Sequence, residues 1–194
     1  DVLSDEGEIV ISDDGHGMAL EDVFTYWMQP GGTSKLGKRN SISRRGRRVL
    51  GEKGIGRFAV DKLGTRLVLT TLKKGQKKAV ECRFDWSAFD HETRMLSEVV
   101  CDWEYTSSHE IHRHGTVLRI SGLGAEWSER LFRKLCLRLG RLKTPFHDGD
   151  DFQLLIESSE FPDYAGEVTV DYLDRAPHRV DAVFDGDQAI ALTG

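Results

Sequence analysis

The sequence predicts an α+β fold in which a mostly antiparallel mixed sheet carries a few helices on one face. Three observations indicate this class. Short runs of β-branched and apolar residues recur along the 194-residue chain between turn-forming residues, which is typical of strands. Helical spacing of apolar residues occurs in only a few segments. The chain has no internal repeat.

The first two predicted elements are a strand and a helix. Residues 8–12 alternate in polarity and predict a strand, which the turn residues Asp13-Asp14-Gly15 end. Apolar residues from Leu20 to Trp27 fall at i, i+3, i+4 and i+7 and predict a short amphipathic helix that Pro30-Gly31-Gly32 stops. Further strands are predicted at residues 66–71 and 79–84, paired around a turn at Lys73-Lys74-Gly75. Others are predicted at about 99–105, 116–121 and 152–156, with two less regular ones at 167–173 and 179–184.

A long basic loop follows the first helix. Residues 33–50 have no apolar periodicity, and loops of this length in a compact domain are usually functional or disordered. A Gly-rich stretch comes next, and then a short helix from about residue 57 to 63 with Gly64 at its C′ position. Ser128 predicts the N-cap of another helix, over residues 128–143, whose leucines form one face that we expect to lie in the core.

Composition excludes several classes of protein. Hydrophobic residues make up 39% and charged residues 30%, which indicates a globular domain. No run of about 18 apolar residues exists, so we expect no transmembrane helix and no membrane partner. The chain has three cysteines, an odd number, and no two of them have metal-ligand spacing. This argues against a disulfide framework and favours a reducing, cytoplasmic setting. The chain does not begin with Met, and we expect it to be a segment of a longer protein.

Charge is polarised along the chain. Residues 1–34 contain eight acidic and no basic side chains, whereas residues 35–62 contain ten basic and two acidic ones, a net charge of +8. The remainder brings the formal net charge to −5. Such a basic block is either a solvated loop or a surface for a polyanion, meaning nucleotide phosphates or nucleic acid.

Three short motifs stand beside this block. Asp13-Asp14-Gly15-His16-Gly17-Met18 follows a strand, and its glycines let the backbone approach a ligand closely, although Asp-Asp-Gly is also a common turn. Residues 51–59 (Gly-Glu-Lys-Gly-Ile-Gly-Arg-Phe-Ala) run into a helix N-terminus, where free N–H groups favour phosphate. They match neither a P-loop nor a dinucleotide-binding turn. Gly115-Thr116 opens a strand.

Taken in order, these motifs resemble the GHKL ATPase superfamily, which includes gyrase B subunits, the ninety-kilodalton heat-shock chaperone, histidine kinases and MutL. The resemblance covers about residues 7–156 and is nearest to the chaperone-like or microrchidia-like branch, given Gly32-Thr33-Ser34-Lys35 and the Gly-rich motif. It implies a two-layer α/β sandwich of the Bergerat type for residues 1–158. Residues 159–194 would be a linker or the start of another domain.

The resemblance also implies roles in ATP binding. Asp13 would accept a hydrogen bond from the adenine amino group, helped by a water that Thr116 holds. Gly15 and Gly17 would allow the close approach, and Met18 would pack on adenine. Residues 29–50 would form a lid. The implied phosphate side comprises the lid residues Thr33, Ser34 and Lys35, the backbone N–H groups of Gly51, Gly54, Ile55 and Gly56, and beside them Lys53, Arg57 and Phe58.

One part of the family pattern is absent. These ATPases have a helix before the first strand that carries a catalytic Glu and an Mg²⁺-binding Asn, and the six residues before Gly7 do not form it. We therefore expect no catalytic residue and no metal ligand here, with both upstream of Asp1. The function implied is an ATP-binding domain whose lid closure couples ATP hydrolysis to homodimerisation or domain movement. A non-hydrolysing nucleotide-gated module and a histidine kinase catalytic domain are the alternatives, with nucleic acid or a protein client as partner.

The histidine-rich stretch at residues 109–114 is a weaker candidate. Its His-Glu-x-x-His spacing fails at Arg113, so we expect a solvated loop rather than a zinc site.

Overall fold

Residues 7–27, 60, 62–86, 101–107, 111–124, 126–143, 152–169, 181–185 and 188–193 are described by a computed structural model. The chain divides into two compact units, Asp1–Glu126 and Trp127–Gly194. The predicted boundary near residue 158 stays a prediction. Among the described residues, no helix has the length and apolar character needed to cross a membrane.

The first unit is built on a five-stranded sheet. Its strands are β1 (Ile9–Asp13), β2 (Gly64–Leu72), β3 (Ala79–Asp85), β4 (Asp102–Thr106) and β5 (Gly115–Leu123). They lie in the order β1-β5-β2-β3-β4, and each neighbouring pair is antiparallel. A helical segment after β1 begins as α1 (Leu20–Asp22) and continues as a π-helical turn over Val23–Trp27. The predicted α+β class is therefore confirmed.

The core lies on one face of this sheet. Opposed residues of an antiparallel pair point to the same face, so the registered pairs form rows across the strands. One row places Ile120, Leu67 and Phe84 side by side, and the next contains Leu69 and Cys82. These side chains are at most 4% exposed and pack with Val23 of the helical segment. Burial of this apolar face holds the segment against the sheet.

The hairpin between β2 and β3 confirms the predicted turn at Lys73-Lys74-Gly75. Gly75 has a φ of +90°, a left-handed conformation that favours glycine. Gly64 differs from its predicted C′ role. It is the first residue of β2 and has no left-handed φ; a Cβ there would lie 2.5 Å from the Ser121 carbonyl oxygen. Close approach to β5 therefore explains this glycine.

The second unit contains a capped helix, α2 (Glu129–Gly140), and short strand pairs. Ser128 is its N-cap as predicted, because its hydroxyl accepts a hydrogen bond from the Leu131 N–H. The leucine face is only partly covered: Leu135 and Leu139 are half-buried, whereas Leu131 is 43% and Leu142 57% exposed. Phe132 of the same helix contacts the rings of Trp127, Phe161 and Tyr164.

Strand assignments in the second unit were less accurate. Only Leu155–Ile156 of the predicted buried strand 152–156 forms β6, and Leu155 is 66% exposed. It pairs with β7 (Gly166–Glu167), which follows a 3₁₀ turn at Pro162–Tyr164. The predicted strand at 179–184 corresponds to β8 (Asp181–Asp185), and its partner β9 (Gln188–Thr193) was not predicted.

Candidate functional site

A polar row ends the apolar face of the five-stranded sheet. Asp13 of β1 is paired with Thr116 of β5, and Thr116 is paired with Thr71 of β2. The three side chains therefore share the core face, one row beyond Leu69. Thr71 is fully buried and Thr116 is 8% exposed, whereas Asp13 is exposed. Polarity thus rises toward the edge of the sheet, where Asp13 is open to a ligand.

The Thr71 hydroxyl joins three segments of chain. It accepts from the Met18 N–H at 2.9 Å, lies 3.1 Å from the Gly115 carbonyl oxygen and lies 3.1 Å from the Thr116 hydroxyl. A hydroxyl carries one proton and two acceptor lone pairs. All three contacts are satisfied together when Thr71 donates to Gly115 and Thr116 donates to Thr71. Thr116 then presents acceptor lone pairs to any ligand or water.

Two glycines permit the close packing of this corner. Gly17 has a φ of +63°, and a Cβ there would lie 1.9 Å from the Leu72 carbonyl oxygen. Gly115 has a φ of +143°, and a Cβ there would lie 2.0 Å from the Asp13 carbonyl oxygen. Both positions require glycine because the backbone is left-handed and touches another strand. Packing within the fold thus explains why residue 17 is a glycine, in addition to the ligand contact that the resemblance implies.

The turn after β1 is held by hydrogen bonds at successive residues. The Gly15 N–H donates to Asp13 Oδ1 at 2.8 Å, and the Gly15 carbonyl oxygen lies 2.6 Å from His114 Nδ1. The His16 carbonyl accepts from the Lys74 N–H at 2.8 Å. These contacts tie the turn to the β2–β3 hairpin and to the residue before β5, so the Asp13 carboxylate is presented by a braced backbone.

An ion pair anchors the helical segment beside this turn. Lys73 Nζ lies 2.7 Å from Asp22 Oδ2, and the same oxygen accepts from the Ala19 N–H at 2.9 Å. The hydrogen bond from Lys73, and then that from Ala19, hold the pKa of Asp22 below its ordinary value of 3.8. Asp22 is therefore charged at neutral pH, and it fixes the start of the helix that follows Met18.

Comparison with known proteins identifies the family of this chain. The family model described as "Histidine kinase-, DNA gyrase B-, and HSP90-like ATPase" matches residues 2–116. The chain belongs to this ATPase family. It is also 44% identical over 55 residues to "Putative type II restriction enzyme HgiDII" of Herpetosiphon aurantiacus. That match covers 28% of this chain and 9% of the other protein.

The structure describes five of the predicted site residues. Asp13, Gly15, Gly17 and Met18 lie on one turn, and Thr116 faces Asp13 across β1 and β5. Met18 is partly buried against the core cluster. The remaining predicted residues lie outside the described part of the chain, as does the lid range 29–50: these are Thr33, Ser34, Lys35, Gly51, Lys53, Gly54, Ile55, Gly56, Arg57 and Phe58.

In the part of the chain that the structure describes, no group of three or more His, Cys, Asp or Glu side chains is arranged to hold a metal ion. His114, part of the histidine-rich stretch, instead contacts the Gly15 carbonyl. The described end of the histidine-rich stretch is thus tied to the turn after β1.

Sequence reasoning missed Thr71 and His114. Thr71 lies 53 residues from Met18 and 44 from Gly115 in the chain, and a threonine inside a strand is ordinary. His114 lies 99 residues from Gly15. No local pattern reports contacts over such separations. The signal that could have found Thr71 is the register of β1, β5 and β2, which places it in the row of Asp13 and Thr116.

Proposed function

We propose that this chain is the ATP-binding part of a GHKL-type ATPase, and that it binds the adenine ring at the Asp13 corner of the sheet. The observation that carries the proposal is the polar row of Asp13, Thr116 and Thr71 at the end of an apolar face. A carboxylate that is exposed, and braced through its own turn, is a strong acceptor for an amino group.

The proposed base contacts follow from hydrogen-bonding capacity. An ionised carboxylate accepts only, and Thr116 also presents lone pairs once its proton is given to Thr71. The adenine amino group would donate one hydrogen to Asp13, and a water would donate to Asp13 and Thr116. Met18 would cover the ring. This pairing selects a base that carries an amino group at this position.

Phosphate contacts are assigned by the family resemblance. Backbone N–H groups of Gly51, Gly54, Ile55 and Gly56 would bind the phosphates, since N–H groups at a helix N-terminus favour anions. The remaining assignments are Thr33, Ser34 and Lys35 on the lid and Lys53, Arg57 and Phe58 beside the phosphate loop. Ten basic side chains in residues 35–62 provide counter-charge to the nucleotide.

Hydrolysis would require groups outside this segment. We place the general base and the Mg²⁺ ligand on a helix upstream of Asp1, and bound Mg²⁺ would neutralise phosphate charge. The segment alone would then bind nucleotide weakly and release no phosphate. In the full protein, lid closure would couple turnover to dimerisation or domain movement. We assign it to the chaperone-like or microrchidia-like branch and to the cytoplasm.

A comparison of ATP with inosine triphosphate tests the base assignment. Inosine carries a carbonyl oxygen where adenine carries its amino group, so Asp13 would face an acceptor instead of a donor. We expect inosine triphosphate to bind at least about tenfold more weakly than ATP in calorimetric titration. Equal affinities for the two nucleotides would contradict the proposed contact at Asp13.

Two alternatives keep the same binding site. A nucleotide-gated module would bind ATP and never release phosphate, even with the upstream residues present. A histidine kinase domain would transfer the phosphate to a histidine of a separate segment. Steady-state phosphate release and radiolabel transfer from ATP separate these outcomes from a hydrolase.

Nucleic acid is a second candidate partner. The +8 charge of residues 35–62 exceeds what one nucleotide needs, and a partial relative carries the name of a restriction enzyme. Binding through this block would neutralise several phosphates and release counterions, so affinity for duplex DNA would fall steeply between low and moderate salt. A flat salt response, or no binding at low salt, would argue against this partner.

A further inference from the structure

His114 makes a contact that the ATP-binding roles do not use. It immediately precedes β5, and its partly buried imidazole places Nδ1 2.6 Å from the carbonyl oxygen of Gly15. A carbonyl oxygen can only accept, so Nδ1 must carry the proton in this bond. Gly15 belongs to the turn that presents Asp13.

Gly15 is thereby held on both of its backbone groups. Its N–H donates to Asp13 Oδ1 at 2.8 Å, and its carbonyl accepts from His114. A side chain at this position is excluded, because a Cβ would lie only 2.6 Å from Asp13 Oδ1. Glycine itself has wide backbone freedom. Because Gly15 has no side chain to restrict its backbone, these two hydrogen bonds set its conformation.

We propose that His114 is a positioning residue for the nucleotide site, acting on the Asp13 carboxylate through Gly15. The Gly15 carbonyl belongs to the peptide after its Cα and the Gly15 N–H to the peptide before it. When the imidazole holds the carbonyl, rotation about the Gly15 Cα is restricted, so the N–H stays directed at Asp13 and keeps its carboxylate in one orientation. Without that bond the two peptides rotate more freely about this Cα, and the ligand must itself order Asp13. The role of Asp13 toward adenine rests on the proposed function, whereas the effect on Gly15 does not.

Removing the His114 donor removes one hydrogen bond, which corresponds to about a three- to tenfold change in an equilibrium constant. Because His114 acts at the base end of the site, ATP and adenosine should weaken by the same factor. A residue acting on the phosphates would weaken ATP alone.

Three variants separate the donor from the bulk of the ring. His114→Leu keeps an apolar side chain and removes the donor. His114→Asn restores an N–H at nearly the place of Nδ1, because both nitrogens are attached to Cγ. His112→Leu is the matched control, since His112 is exposed and has no hydrogen bond to the described residues.

The test measures calorimetric affinity for ATP and adenosine, together with amide hydrogen exchange at Gly15. In His114→Leu we expect both ligands to bind about three- to tenfold more weakly and Gly15 to exchange faster by a similar factor. His114→Asn and His112→Leu should match the wild type. An unchanged His114→Leu, or a His114→Asn as impaired as it, would overturn the proposal.

A measurement on the wild-type protein tests the hydrogen bond even if the variants do not fold. Nitrogen-15 NMR of the neutral His114 ring should show the tautomer protonated at Nδ1, and the Nε2 tautomer would refute the bond. If the wild type bound neither ATP nor adenosine, the proposed function would fail on its own. The tautomer and the Gly15 exchange rate would still decide whether His114 holds the turn.

Discussion

Replacing Thr71 with valine tests whether the buried hydroxyl network holds the corner of the sheet together. Valine keeps the volume and β-branching of threonine and is equally suited to a strand, so the change removes the hydroxyl alone. Thr71 is fully buried, which means that water cannot replace the lost partner. The variant therefore isolates the contacts to Met18, Gly115 and Thr116.

The loss of stability expected for Thr71→Val follows from those contacts. The Met18 N–H, 2.9 Å from the hydroxyl, would lose its acceptor, and an unsatisfied buried donor costs about 1–3 kcal/mol. Loss of the 3.1 Å contacts to Gly115 and Thr116 adds to this, while the extra apolar surface of valine offsets part of it. We expect the free energy of unfolding to fall by about 2 kcal/mol.

Urea denaturation of the wild type, Thr71→Val and Thr70→Val measures this difference. Thr70 is the matched control: it is 6% exposed, lies on the opposite face of β2 and has no side-chain hydrogen bond to the described residues. Thr70→Val should stay within about 0.5 kcal/mol of the wild type. Equal stability of the two variants would refute the network as a source of stability.

Three further predictions concern the turn, the ion pair and the phosphate loop. Gly17→Ala should lower the free energy of unfolding more than Gly75→Ala in urea denaturation. Both positions have a left-handed φ, which costs an alanine about 1–2 kcal/mol, but only at Gly17 would the added Cβ lie 1.9 Å from a backbone oxygen; equal losses would contradict this. Because the pKa of Asp22 is lowered from 3.8, its pairing stabilises the fold above that pH and is lost as pH falls below it. The stability gap between wild type and Asp22→Asn should therefore close on acidification, and a constant gap would count against the pairing. Gly54→Ala should weaken ATP more than adenosine in calorimetry, and equal weakening would indicate misfolding.

The sheet of the first unit was largely predictable from sequence. Residues 66–71 and 79–84 combine strand-forming residues with a Lys-Lys-Gly turn, and they form the predicted hairpin. The antiparallel order of the strands was expected only as a class, because the pairing of β1 with β5 joins segments that are about 100 residues apart. Patterns of polarity report which residues are buried and do not report which strand is the neighbour.

Errors arose where a local signal was overridden by contacts distant in sequence. Gly64 after a helical pattern suggested a C′ position, yet its backbone lies against β5. The apolar run at 152–156 suggested a buried strand, yet Leu155 is exposed. Short apolar runs carry no information on whether a second layer covers them.

Only part of the candidate site was predictable, because a local motif does not report contacts to residues distant in sequence. Asp13 and Thr116 were found because they stand in recognisable motifs, and the structure places them in one register pair. Thr71 and His114 escaped because their contacts are to residues at least 44 positions away in the chain.

Calorimetric titration of ATP into Asp13→Asn and Asp14→Asn tests the central claim most directly. The two carboxylates are adjacent and exposed, but only Asp13 is in register with Thr116 and holds the Gly15 N–H. Loss of a charge-assisted hydrogen bond and its water costs about 2–3 kcal/mol, so Asp13→Asn should bind ATP about 30- to 150-fold more weakly than the wild type. Asp14→Asn should bind as the wild type does. If all three proteins bound ATP equally, Asp13 would not recognise the base and the proposed site would be wrong.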